Sequence, residues 1–177
     1  MKIQKELEKN QTILLIVPSV EYSNVLIRNL KELTKQNVCY VTLNKTVDSL
    51  RETFKKNHVN TDNIVFIDAI SKTIKKVPDQ EDKVYYVSSP GALTELSIAI
   101  NRFLKHQFQY LVFDSLTNLL IYQKKAPVAQ FVSAIVNKIK ISNTKGVFYT
   151  ISVTEQEELI KETCMFVDKV FDLEKKT

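Results

Sequence analysis

The chain of 177 residues has only two glycines, Gly91 and Gly146. So few glycines exclude a glycine-rich loop around a phosphate, which needs residues free to take positive φ and bring backbone amides close to the anion. Cysteine is equally scarce: Cys39 and Cys164 lie far apart, and neither belongs to a C-x-x-C pair. That excludes a disulfide framework and a structural zinc, and points to reduced, buried thiols in the cytosol. No run approaches the ~18 apolar residues of a membrane helix, and Met1 to Asn10 is mostly polar. Neither a signal peptide nor a membrane span is expected, and cytoplasmic localisation follows. G-x-S-x-G is absent, so Ser19, Ser23 and Ser89 do not suggest a serine hydrolase. The two histidines, His58 and His106, fall at expected helix ends, where solvation or capping outweighs catalysis.

What remains has the makeup of one ordinary globular domain, residues 1–177, with 1–11 as a polar lead-in. The net charge of +5 permits an acidic partner. The lysines, however, fall in short pairs such as Lys55-Lys56 and Lys124-Lys125, which read as solvated helix ends and loops rather than a phosphate track.

Apolar runs alternate with helical stripes along the whole chain. Ile13 to Val17, Val38 to Thr42, Ile64 to Ile67, Val84 to Val87, Tyr110 to Asp114, Val147 to Thr150 and Val170 to Leu173 read as strands. Between them, helices are expected from Ser19 or Ser23 to about Gln36, from Thr46 to Asn57 and from Ser89 to about His106. Two more are expected from Pro127 to Ile141 and from Glu155 to Met165. Ser89 before Pro90 reads as an N-cap followed by proline at the first helical position, and 72–83 as a charged surface loop. Strands apolar throughout imply burial on both faces. The fold class is therefore α/β: a three-layer α/β/α domain with a doubly wound, mostly parallel sheet. Ligands of such sheets bind at the carboxyl ends of the strands, so Pro18-Ser19, Asn44, Asp68, Asp114 and Ser152 should share one edge.

Four strings, in order, resemble a known family. Thr42-Leu43-Asn44-Lys45 followed by Leu50-Arg51 looks like a strand-plus-acid segment and its helix. Leu111-Val112-Phe113-Asp114-Ser115 resembles a Walker B strand. Lys145 to Thr150 looks like the strand after it, and Asp168-Lys169-Val170-Phe171-Asp172-Leu173 like a closing Asp-x-Val-x-x-Leu. Together they resemble the RecA/KaiC-like branch of P-loop ATPases, in particular small archaeal KaiC-like domains, over about Thr12 to Leu173. The resemblance implies a RecA-like core with a nucleotide edge. Walker A would fall at Pro18-Ser19-Val20-Glu21-Tyr22-Ser23-Asn24, which holds no glycine and no lysine. Pro18 lacks an N–H, Val20 disfavours positive φ, and Glu21 would repel phosphate. The family's catalytic acid would fall at Asn44 or Lys45; an amide is a poor base and a protonated lysine is none.

No catalytic residue, cofactor or metal is therefore expected, and Asp114, the weak metal candidate, reads instead as a strand-end acid capping the next turn with Ser115 and Thr117. The degenerate nucleotide positions are Ser19, Glu21, Tyr22, Ser23, Asn24, Asn44, Lys45, Asp114 and Ser115. The expected function is a non-catalytic regulatory or assembly module with a protein partner or self-association. The alternatives are a small-molecule sensor lined by Ser19, Ser23, Asn44 and Asp114, as the P-loop-less sensory relatives imply, and a nucleic-acid-binding paralogue of RecA/RadA type.

Overall fold

The structure is a computed structural model and describes residues 2–106, 108–152 and 157–174. Its frame is a single sheet of eight strands: β1 (Thr12–Val17), β2 (Val38–Thr42), β3 (Ile64–Asp68), β4 (Gln80–Glu81), β5 (Val84–Tyr86), β6 (Tyr110–Asp114), β7 (Lys145–Ile151) and β8 (Lys169–Asp172). Their order across the sheet is β4, β5, β3, β2, β6, β7, β1, β8. Every neighbouring pair is parallel except β4 with β5.

The alternation of side chains along each strand sorts the core into two layers. Ile13, Leu15 and Val17 of β1 join Tyr40, Phe66, Val112 and Tyr149 on one face. That face is covered by α1 (Ile3–Lys9), α2 (Tyr22–Leu33) and α3 (Val47–Lys56). Leu14 and Ile16 join Val41, Phe113 and Phe148 on the other, under α5 (Leu93–Lys105), α6 (Leu116–Tyr122), α7 (Lys125–Lys140) and α8 (Glu157–Phe166). A short helix, α4 (Ser71–Ile74), follows β3. This is the expected three-layer, doubly wound, mostly parallel α/β/α arrangement.

Local expectations were corrected in several places. The lead-in is a packed element: Ile3 and Leu7 of α1 are fully buried, four residues apart on one helical face. The helix placed at Ser89 starts instead at Leu93, and its N-cap residue Ala92 makes no side-chain cap. Pro90 and Gly91 belong to a turn in which Ala92 N–H donates to the Ser89 carbonyl. Glu95, in the first turn, reaches back to accept from Ser88 N–H at 2.9 Å and from the Ser88 hydroxyl at 2.6 Å, which ties the start of the helix to the segment before the turn. The 72–83 segment holds most of α4, the strand β4 and the turn that pairs it with β5, with Asp82 and Lys83 at positive φ. Helix α6 had no counterpart in the sequence reading, and α7 begins two residues before Pro127, which a first helical turn tolerates. The start proposed at Glu155 for the last helix lies outside the described residues. Cys39 is buried, but Cys164 is only half-buried.

Gly146 marks a tight contact beneath α7. A Cβ there would sit 2.8 Å from Ile139 Cδ1 and 3.2 Å from a Phe148 ring carbon. Gly146→Val should therefore cost about 1–3 kcal/mol by overpacking, read from the urea midpoint. Gly146→Ala should cost less, because the nearest atom is the flexible tip of Ile139.

Candidate functional site

The strand register carries the expected residues to one edge. Thr42 is paired with Asp68 on one side and Asp114 on the other, and Val17 with Ile151. The segments after β1, β2, β3, β6 and β7 thus emerge together at the carboxyl edge. Strand alternation further places Asp114 on the α2–α3 face, in line with Tyr110 and Val112.

The two aspartates at this edge do different work. Asp68 is a fully engaged anchor: Oδ2 accepts from Val47 N–H at 2.8 Å and the Ser71 hydroxyl at 2.6 Å, and Oδ1 from the amides of Ile70 and Ser71 at 2.7 and 2.8 Å. One carboxylate thereby satisfies the first amides of α3 and of α4, which have no partners within their own helices. Thr46 completes the α3 cap by accepting from Ser49 N–H.

Asp114 is 1% exposed and sits among phenols. Its Oδ1 accepts from the Tyr22 hydroxyl at 2.5 Å and from Asn44 Nδ2 at 3.3 Å, and its Oδ2 accepts from the Tyr40 hydroxyl. Three of the roughly four lone-pair positions of a carboxylate are thus in use. Burial pushes the Asp114 carboxyl up from its ordinary range, while the hydroxyls of Tyr22 and Tyr40, the Lys45 charge and Asn44 pull it back. Burial, then the negative charge of Asp114, drives both Tyr22 and Tyr40 well above the usual phenol value, so each stays protonated and donates. Beside them the Tyr149 ring meets Tyr22 edge-on at 6.0 Å, and the Tyr149 hydroxyl accepts from Asn29 Nδ2 at 2.9 Å.

This differs from the turn-capping role expected of Asp114. Ser115 donates to Asn118 Oδ1 at 2.7 Å and makes no side-chain cap. Thr117 Oγ1 accepts from Ile151 N–H at 2.8 Å and lies 3.1 Å from Thr150 Oγ1, so it fastens α6 to β7 rather than to Asp114. The Asp114–Ser115 peptide is cis.

The remaining expected positions divide by whether they reach a cavity of about 200 Å³ between α2 and α3. Ser19, Tyr22, Ser23, Asn44, Lys45 and Asp114 line it; Glu21, Asn24 and Ser115 do not. Ser19 lies in the short 3-10 turn Ser19–Glu21 that leads from β1 into α2, and Tyr22 is the first residue of α2. The Asn44-Lys45 loop is closed on itself, Thr42 Oγ1 donating to the Lys45 carbonyl at 2.7 Å. Tyr40, Asn29 and Tyr149 were missed in the sequence because they lie inside runs that read as plain strand and helix. The available signal was the two-residue period that puts Tyr40 and Asp114 on the same face of adjacent strands.

Among the described residues no group of three or more His, Cys, Asp or Glu side chains is placed to hold a metal ion. None of the described helices is long and apolar enough to cross a membrane.

Comparison with solved structures supports the fold. The chain matches the crystal structure of the KaiC-like protein PH0186 from the hyperthermophilic archaeon Pyrococcus horikoshii OT3 with a TM-score of 0.68. The match covers 94% of this chain and 74% of that one at 12% identity, which makes it a likeness of fold. No curated protein sequence matches the chain. A family model does match, across residues 4–177, and by that match the chain belongs to the family of unknown function DUF7090.

Proposed function

We propose that this protein is a KaiC/RecA-like domain that does not hydrolyse ATP and acts as a regulatory or assembly module through the carboxyl edge of its sheet. The observation that carries the reading is the Tyr22–Asp114–Tyr40 cluster. In a nucleotide hydrolase of this fold the acid at the end of the Walker B strand would serve magnesium. Here its oxygens accept from two protonated phenols and an amide, none of which is a magnesium ligand of the usual oxygen-anion kind. The segment after β1 supports the same reading: it carries an acid, Glu21, and has no glycine or lysine. Asn44 and Lys45 stand where a base would be needed.

A protein contact at this edge is supported by exposed apolar side chains in the connections that leave it. Val20 after β1 is 88% exposed, Ile74 after β3 69%, and Ile121 after β6 70%. Side chains of this kind in a surface otherwise rich in lysine suit the apolar centre of an interface.

Calorimetric titration with ATP and magnesium should release no binding heat, and no phosphate should be produced. Micromolar ATP affinity, or turnover abolished by Asp114→Asn in a still-folded protein, would overturn the reading. Light scattering tests the assembly half: self-association should weaken in Val20→Glu and Ile121→Glu. A chain that stays monomeric at high concentration would remove self-association from the reading.

A further inference from the structure

The cavity between α2 and α3 combines features that the phenol cluster does not use. Its volume is about 200 Å³. That is below the ~300–1,000 Å³ of drug-sized pockets, so its size suits a metabolite far smaller than a nucleotide.

Its chemistry is graded along its length. At the carboxyl edge lie the two opposite charges of the site, the buried Asp114 carboxylate and the exposed Lys45 ammonium. Asp114 retains acceptor capacity beyond its three bonds. The Asn44 amide oxygen has only a 3.5 Å approach from Thr42 Oγ1, at the limit of a hydrogen bond. Among the described residues Lys45 makes no ion pair. Further along both helices the walls are mostly apolar, with Leu26 and Ile27 from α2 and Leu50 and Phe54 from α3, beside Thr53, whose hydroxyl is taken up by the Ser49 carbonyl at 2.9 Å.

A ligand complementary to this gradient has a cationic donor beside an anionic group at one end and a short hydrocarbon at the other. We propose that the cavity binds a free α-amino acid with an apolar side chain, its ammonium at Asp114 and Asn44, its carboxylate at Lys45 and its side chain between Leu50 and Phe54. The inference rests on the reading above, in which no nucleotide occupies this edge. It makes the module a sensor of amino-acid supply, with the ligand bridging α2 and the loop after β2.

The probe is L-leucine, followed by calorimetry and by thermal melting of the whole chain, with isopentylamine and isovalerate as its two halves. Leucine should bind with a dissociation constant of about 1 mM or tighter and raise the melting temperature. Each half-ligand should bind more weakly. Lys45→Ala, an exposed change, should weaken leucine at least about tenfold, as losing one charge-assisted hydrogen bond would. Ile27→Trp should fill the cavity and abolish binding. Leucine binding unaffected by Lys45→Ala, equal binding of either half-ligand, or no melting shift far above millimolar leucine would overturn the proposal. Binding of ATP with magnesium that displaces leucine would instead overturn the parent reading, whereas failure of both ligands to bind leaves that reading standing and removes this one.

Discussion

Asp114→Ala should destabilise the domain by about 3–5 kcal/mol, whereas Asp114→Asn should cost only about 1–2 kcal/mol. Alanine strands two buried phenol donors, Tyr22 and Tyr40, whose acceptor it removes. Each unsatisfied buried donor costs about 1–3 kcal/mol. Asparagine keeps the shape and one acceptor oxygen, and a phenol can turn its lone pair toward the new amide N–H. Urea unfolding with a shared slope separates the two variants. An alanine variant with an unchanged midpoint would show that the cluster does not hold the edge together.

The comparison also has a pH dependence. Burial raises the Asp114 carboxyl in the folded state, so the folded protein binds more protons at this site than the unfolded chain between ~3.9 and the folded value. The contribution of Asp114 to stability therefore falls as pH rises through that window. Asp114→Asn lacks this titration, so its deficit relative to the wild type should shrink as pH rises from about 4 and then level off.

Asp68→Ala is the second large effect, at about 3–5 kcal/mol. The loss leaves the amides of Val47, Ile70 and Ser71 without an acceptor at the start of two helices. Asp68→Asn should recover only part of it, because one of its two polar groups becomes a donor facing donors. Hydrogen exchange gives the local readout: those three amides should exchange faster in both variants than in the wild type. Unchanged protection at Val47 would mean that α3 is anchored by Thr46 alone.

The two aspartates illustrate how far local reading extends. Asp68 and Asp114 were both visible as acids closing apolar strands, and the parallel order of those strands puts them at one edge. Their separate roles depend on which side chains arrive from elsewhere. Asp68 meets the amides of its own following turn and of α3, within the neighbouring β/α units. Asp114 meets Tyr22, which is 92 positions away, and Tyr40, 74 positions away. Nothing in Tyr110 to Thr117 specifies either contact. The shift of the α5 start from Ser89 to Leu93 has a similar origin: Glu95 ties back to Ser88 across the Pro90-Gly91 turn, an arrangement that no single-residue signal at Ser89-Pro90 distinguishes.

The order of four short strings carried the family resemblance, and period and composition determined the layers, every strand but β4 and the absence of a glycine-rich phosphate loop. These follow from short-range facts: which residues are apolar, at what spacing, and which backbone conformations they allow. Only the tertiary structure decided that the acid of the sixth strand is closed by phenols, that the N-terminal segment belongs to the core, and that a small cavity separates α2 from α3. The reason is that a buried polar group takes whatever partner the packing of distant elements brings within about 3 Å. The identity of that partner is a property of the assembled layers, so a strand that reads as a magnesium site in one chain holds two tyrosines in this one.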